Sequence, residues 1–331
     1  MLGWEFEFDS MRRPARAGVA ENRTVVLFFA SVASSSHHGC GWVLVRLRAP
    51  MAHCPRQPAS PAAHIGIFDS GIGGLSVLRA LWAQLPGARL SYIADSRHTP
   101  WGQRPAAWVA ERCGQLSAAL LADGADLVVV ACNTATTQAI ASLRARWPQQ
   151  CFVGIEPGIK PAVAGSRNAR VALLATPGTL RSERLQHLVQ AHAQGVTLLR
   201  LPCPGLAEAI EAAWQDQRGL LAQLDDIAAR LRAAEVDTVV LGCTHYPLVA
   251  AALQQRLAPG TLLVDVAQAV ARRVASLLPM AALGELDAPE APLHRLWATG
   301  PAQNLHQAAL HWLGLDLAVE PLDLPDPPVP A

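Results

Sequence analysis

Two short segments of the 331-residue chain carry a thiol in a setting suited to proton chemistry: Cys132-Asn133-Thr134 and Cys243-Thr244-His245. Each cysteine closes an apolar run and opens a polar one. A helix that begins at such a cysteine favours the thiolate over a free thiol of pKa about 8.5, and a neighbouring histidine can take or relay the proton. The two segments are also near copies. Asp126-Leu-Val-Val-Val-Ala-Cys132-Asn-Thr lies on Asp237-Thr-Val-Val-Leu-Gly-Cys243-Thr-His with the same spacing from Asp to Cys. A weaker correspondence joins Ile65-Gly-Ile-Phe-Asp-Ser-Gly71 to Val171-Ala-Leu-Leu-Ala-Thr-Pro177. The simplest account is two similar lobes. If they face each other, one thiol stands on each side of a cleft, which suits removing a proton from one face of a carbon and supplying one to the other.

The remaining cysteines read differently. Cys113, Cys151 and Cys203 lack polar companions and are expected to act as small buried hydrophobes, while Cys40 and Cys54 fall in the N-terminal extension. Two further loops are polar where a strand ends. Asp69-Ser70-Gly71-Ile-Gly73-Gly74 can bend tightly and bring its backbone close to a ligand, and Thr176-Pro-Gly178-Thr179 offers hydroxyls to a carboxylate. Taken alone, the glycine turn could equally hold a phosphate. Asp69 could cap the helix that follows it, His245 could be a hydrogen-bonder at a strand end, Glu156 could be a solvated loop carboxylate, and Asp95 reads as structural.

Positioning these loops requires strands that end together. Strands are expected over residues 65–68, 90–93, 127–131, 152–154, 171–175, 197–201, 238–242, 262–264 and 295–298. Helices are expected between them over 75–85, 105–122, 135–147, 180–193, 219–234, 248–257 and 267–278. This alternation implies an α/β fold of two similar, pseudo-symmetric lobes, each a mostly parallel sheet flanked by helices, with the site between them. Ligands collect outside the carboxyl ends of such strands. Lobe 1 takes residues 64–157 and 265–322, and lobe 2 takes 158–264. Residues 1–63 are expected to be a non-folding extension from an upstream start codon, with Met51 nearer the true beginning; a targeting segment and an accessory element are the other readings. The Pro-rich tail at 323–331 is expected to be unstructured.

Composition narrows the classes. Basic and acidic residues number 27 and 26, a net of +1 without a long basic stretch, so nucleic acid contact is not expected. Apolar runs such as residues 25–30 fall far below the roughly 18 residues of a membrane span. Seven cysteines without CxxC pairs argue against a disulfide framework or a zinc site and for a reduced, cytoplasmic protein. Lys160 is the only lysine and has no motif for a Schiff base.

At this point the sequence closely resembles the glutamate racemase family of the cofactor-independent aspartate/glutamate racemase superfamily. The resemblance runs from about residue 64 to 322 and rests on Ile67-Phe-Asp69-Ser70-Gly71-Ile-Gly73-Gly74-Leu75, Tyr92-Ile-Ala-Asp95, Pro100-Trp-Gly102, Ala131-Cys132-Asn133-Thr134-Ala135, Gly154-Ile-Glu156-Pro157-Gly158, Leu241-Gly242-Cys243-Thr244-His245-Tyr246-Pro247-Leu248 and Thr299-Gly300. It implies interconversion of L- and D-glutamate without cofactor or metal, to supply D-glutamate for peptidoglycan, in a homodimer. It also implies that Cys132 takes the α-proton from D-glutamate and Cys243 from L-glutamate. Asp69 would assist Cys132, and His245 would assist Cys243 with Glu156 setting its protonation. Substrate would be held by Asp69, Ser70, Pro100, Trp101, Gly102, Asn133, Thr134, Thr176, Thr244 and His245. Trp101 stands where the family usually has Tyr, and the extension and the tail after Leu322 are unmatched. Other readings are a racemase of another amino acid such as aspartate, a regulatory protein on this scaffold that engages DNA gyrase, and a thiol redox or metal protein.

Overall fold

Short β-branched runs become strands, and those at the centre of each sheet are buried on both faces, as in parallel sheets covered by helices. The structure, a computed structural model, describes residues 62–213, 215–279 and 294–328. These lie in one compact unit, Met51–Ala331. The readings made for residues 1–61 fall outside the described residues.

The elements in chain order are β1 (His64–Asp69), α1 (Leu75–Gln84), β2 (Arg89–Ala94), α2 (Ala106–Ala122), β3 (Leu127–Val130), α3 (Asn133–Arg146), β4 (Cys151–Gly154), α4 (Ile159–Gly165), β5 (Arg170–Ala175), α5 (Pro177–Arg181), α6 (Glu183–His192), β6 (Thr197–Pro202), α7 (Leu206–Glu211), α8 (Gln217–Ala233), β7 (Thr238–Leu241), α9 (Ala250–Gln254), β8 (Leu262–Val264), α10 (Ala267–Leu277), β9 (Arg295–Ala298), α11 (Ala302–Leu313) and β10 (Val319–Pro321). Two all-parallel sheets result, ordered β10-β9-β2-β1-β3-β4 and β6-β5-β7-β8. The four-strand order β2-β1-β3-β4 of the first is repeated by β6-β5-β7-β8 in the second, so the internal repeat of the sequence is a repeat of topology.

Burial follows from pattern. All residues of β1, β3 and β7 are buried. The helix α8 turns Leu220, Leu224, Ile227, Ala228 and Leu231 inward, one stripe at helical spacing, and Asp216 caps it by accepting from the Gly219 N–H at 2.9 Å. In each lobe, apolar clusters lie on both faces of the sheet.

Three differences from the sequence reading have local causes. The single helix expected at 180–193 is two, because Ser182 adopts an extended backbone and caps α6 through the Leu185 N–H. Helices α4, α7 and α11 were not expected: α4 contains Pro161 and ends on Gly165, and α7 is only six residues long. The tail expected to be unstructured is docked as far as Pro327. After β10, Leu322 and Leu324 pack against lobe 1, the Pro325 carbonyl accepts from Arg112, and Asp326 pairs with His98. A run of prolines cannot donate to a strand ladder, but apolar side chains and free carbonyls can still anchor extended chain.

Candidate active site

The carboxyl ends of β1 and β3 in lobe 1 face the end of β7 in lobe 2, and a small cavity of about 30 Å³ lies between them. That is room for roughly one or two water molecules. Cys132 follows β3 and caps α3, its Sγ accepting from the Ala135 N–H at 3.5 Å. Cys243 follows β7. Both thiols line the cavity, and both are nearly buried, at 5 % and 7 % exposure.

The two thiols have different partners. Cys132 Sγ lies 3.5 Å from Ser70 Oγ, which in turn lies 3.5 Å from Asp69 Oδ1. Burial, and then the charge of Asp69, push the Cys132 thiol far above its ordinary value; the Ala135 N–H and the Ser70 hydroxyl oppose this and lose. The expectation that the helix N-terminus would favour a thiolate is thus corrected for Cys132: in a dry pocket beside a carboxylate, desolvation is the larger effect. On the other side, Cys243 Sγ lies 3.7 Å from His245 Nδ1, and His245 Nε2 meets Glu211 Oε1 at 2.8 Å. Burial works against the His245 imidazolium, but hydrogen bonds to Cys243 and Glu211, with the charges of both, outweigh it and hold the ring well above its ordinary pKa.

Asp69 is fully buried behind the cavity wall. Its Oδ2 accepts from the Gly74 N–H at 2.6 Å and from Thr244 Oγ1, of the other lobe, at 3.2 Å. It therefore secures the glycine turn and reaches Cys132 through Ser70, without itself lining the cavity as expected of a substrate contact. Burial raises its carboxyl to about 6, although the His245 charge and the Ser70 and Gly74 N–H groups pull downward.

Ser70, Pro100, Trp101, Gly102, Asn133, Thr134, Thr176, Thr244 and His245 all line the cavity. Both polar atoms of the Asn133 amide are buried without a partner, which marks the wall where a ligand's polar groups would be satisfied. Thr134 Oγ1 reaches across the lobes to Thr176 Oγ1 at 3.4 Å and Thr179 Oγ1 at 3.5 Å. The Trp101 indole N–H, by contrast, points away to Asp95 Oδ2 at 3.2 Å, so Trp101 contributes a wall and backbone while its donor is spent in lobe 1.

Glu156 is not brought to the site. Its carboxylate pairs with Arg184 on α6, and the carboxylate on His245 is that of Glu211. This corrects the partner assigned to His245. Glu211 also accepts from the Ile72 N–H of the glycine turn at 3.2 Å, so one carboxylate holds the histidine and the facing lobe together. Glu211, Thr99 and Ala207 were not anticipated from the sequence. Thr179, whose hydroxyl the Thr176-Pro-Gly178-Thr179 turn offers, lines the cavity beside Thr176.

Comparison with known proteins agrees with this geometry. The family model for Asp/Glu/Hydantoin racemase matches residues 84–274. A glutamate racemase of Pseudomonas paraeruginosa is 40% identical over 266 residues, 80% of this chain and 100% of that protein. One of Ectopseudomonas mendocina is 43% identical over 248 residues, 75% of this chain and 93% of its own. Among solved structures, glutamate racemase of Escherichia coli, in complex with L-glutamate and the activator UDP-MurNAc-ala, superposes with a TM-score of 0.70 at 33% identity, covering 79% of this chain and 98% of that one. The RacE1 isoform of Bacillus anthracis gives 0.71 at 27% identity, covering 80% and 99%. By matched sequence and by fold, the chain belongs to the Asp/Glu/hydantoin racemase family and, within it, to the glutamate racemases.

Proposed function

We propose that this chain interconverts L- and D-glutamate by moving a proton between Cys132, Cys243 and the α-carbon. The observation that carries the reading is that two thiols from opposite lobes line one small cavity. In the D-to-L direction the Cys132 thiolate removes the α-proton and becomes a thiol, and the Cys243 thiol delivers its proton to the opposite face and becomes a thiolate. The return direction exchanges the roles.

An α-hydrogen beside a carboxylate is weakly acidic, so the cavity must stabilise the charge that develops on the carboxylate oxygens. Backbone N–H groups at the start of α3 and the unpartnered Asn133 amide are suited to this in a site that excludes water. The Cys132 thiolate forms when substrate binds. The substrate ammonium offsets the charge of Asp69, and Asp69, with a carboxyl near 6, shares the thiol proton through the Ser70 hydroxyl. On the opposite side His245, held protonated by Glu211, stabilises a thiolate at Cys243 and returns it to a thiol. The two thiols then titrate as a pair.

The product is D-glutamate for peptidoglycan, made in the cytoplasm, and the working form is a homodimer. Incubating the protein with L-glutamate in D₂O should yield D-glutamate bearing an α-deuterium. Absence of both inversion and exchange with glutamate, or faster turnover of aspartate in the same panel, overturns the assignment.

A further inference from the structure

We propose that the docked C-terminal segment, residues 323–328, positions the substrate loop Pro100-Trp101-Gly102 through the buried carboxylate of Asp95. The proposal rests on the reading of that loop as part of the glutamate site. Asp95 is fully buried at the end of the lobe 1 sheet and gathers an unusual number of donors. Arg112 bonds both its oxygens, at 2.6 and 3.1 Å, Thr299 Oγ1 donates at 2.8 Å, the Trp101 indole N–H donates at 3.2 Å, and His98 Nδ1 lies at 3.2 Å. A carboxylate in that position is tolerable only while its donors are held in place.

Two of those donors are held by the tail. The Pro325 carbonyl accepts from Arg112 Nη1 at 2.9 Å, and the Asp326 carboxylate meets His98 Nε2 at 2.8 Å. Leu322 and Leu324 pack on the cluster that contains Trp101 and Trp108, and Pro327 is buried. His98 is thereby enclosed between Asp326, Asp95 and the Trp108 ring, whose centroid lies 5.4 Å from its own. Trp108 in turn meets the Trp101 ring edge-on at 5.9 Å. Trp101 thus touches the cavity on one side and the tail-braced network on the other. Where a tyrosine could direct its hydroxyl elsewhere, the indole N–H commits this loop to Asp95.

Without the tail, His98 loses its outer partner, Arg112 loses one acceptor, and water reaches the Asp95 cluster. The loop that walls the cavity then wanders, while Cys132 and Cys243, on β3 and β7, stay in place. The expected signature is weaker substrate binding with chemistry largely retained.

The test compares the full chain with a chain ending at Leu322 and with Asp326→Ala and Asp326→Glu, the point variants guarding against a truncation that fails to fold. Hydrogen exchange over residues 96–104 should quicken in the truncation and in Asp326→Ala, with exchange over 127–140 unchanged. KM for both glutamate enantiomers should rise about fivefold or more, with kcat altered by less than about twofold, and Asp326→Glu should recover most of the loss. Unaltered exchange over 96–104 overturns the proposal whether or not glutamate is the substrate. Faster exchange with KM unchanged, or kcat and KM moving together with thermal stability, overturns the claim that the bracing reaches the site. Failure of the full chain to turn over glutamate strikes instead at the activity, and the exchange result then decides this proposal by itself.

Discussion

Asp69 is held in a state that stability alone would not choose. Its buried carboxyl has been raised from 3.8 to about 6, so at neutral pH the folded chain carries a charge that burial opposes. A raised carboxyl contributes its stability below the unfolded value and loses it as the pH climbs towards 6. Asp69→Asn should therefore stabilise the fold above about pH 6 by on the order of 1–3 kcal/mol. The gain should vanish below about pH 4, where the aspartic acid is neutral in both states, while racemisation falls sharply. Denaturant melts at pH 4 and pH 8 check this, and equal midpoints at pH 8 would sink it. Glu211 presents the complementary case. Glu211→Gln removes the anion that keeps His245 protonated, so turnover should drop about 10- to 100-fold and the high-pH limb of the rate profile should shift to lower pH. Because the enantiomers have equal free energy, kcat/KM must fall equally in both directions. Glu156→Gln, on the Arg184 pair, should stay within about threefold of the parent enzyme. The cysteines and Asp69 were legible because their types stand out at strand ends. Glu211 was not, since it is an ordinary acidic residue on a six-residue helix far along the chain from His245.

The nine strands expected from β-branched runs are all present; the central β1, β3 and β7, buried throughout, demand continuous apolar runs, while β6, β8 and β9 are partly exposed and read from shorter ones. The short helices were harder to read. The sequence of α7 carries too few turns to show periodicity, and β10 shows itself only by pairing with β9. What positions the site is the approach of two loops. A Cβ placed on Gly73 would stand 2.7 Å from both the His245 backbone nitrogen and Thr244 Oγ1. Ser76 Oγ already donates across the same boundary to the Thr244 carbonyl at 3.1 Å. Gly73→Ala should thus force the lobes apart at the thiols, costing about 1–3 kcal/mol and most of the turnover. A Cβ on Gly165 meets only Leu262 Cδ2, the end of a side chain that is 44 % exposed. Gly165→Ala, at the end of α4, should therefore leave turnover unchanged. Equal activity in the two variants, measured side by side, would refute the view that backbone approach at Gly73 sets the cavity.

Glutamate has ten heavy atoms, and a cavity of about 30 Å³ must widen to hold it. The chain crosses between sheets twice, from β4 to β5 and from β8 into α10, and the crossings lie side by side. A Cβ on Gly158 would meet Val264 Cγ1 at 2.9 Å and Val266 Cγ1 at 2.8 Å. Opposite this paired hinge, the lobes are joined by polar contacts: Thr244 to Asp69, Glu211 to the Ile72 N–H, and Thr134 to Thr176. Such contacts exchange readily for water, so opening at the site with bending at the crossings is the motion expected, with Leu248 and Trp312, which pack on the cores of both lobes, moving least. Opening must precede release of every product molecule, and where release limits turnover the rate follows the friction of the moving lobes. The kcat for racemisation should fall as solvent viscosity is raised with sucrose, and the α-deuterium isotope effect on kcat should shrink in step. A kcat unchanged over about a threefold rise in viscosity, with a full isotope effect, would show that proton transfer in the cavity is the slow step.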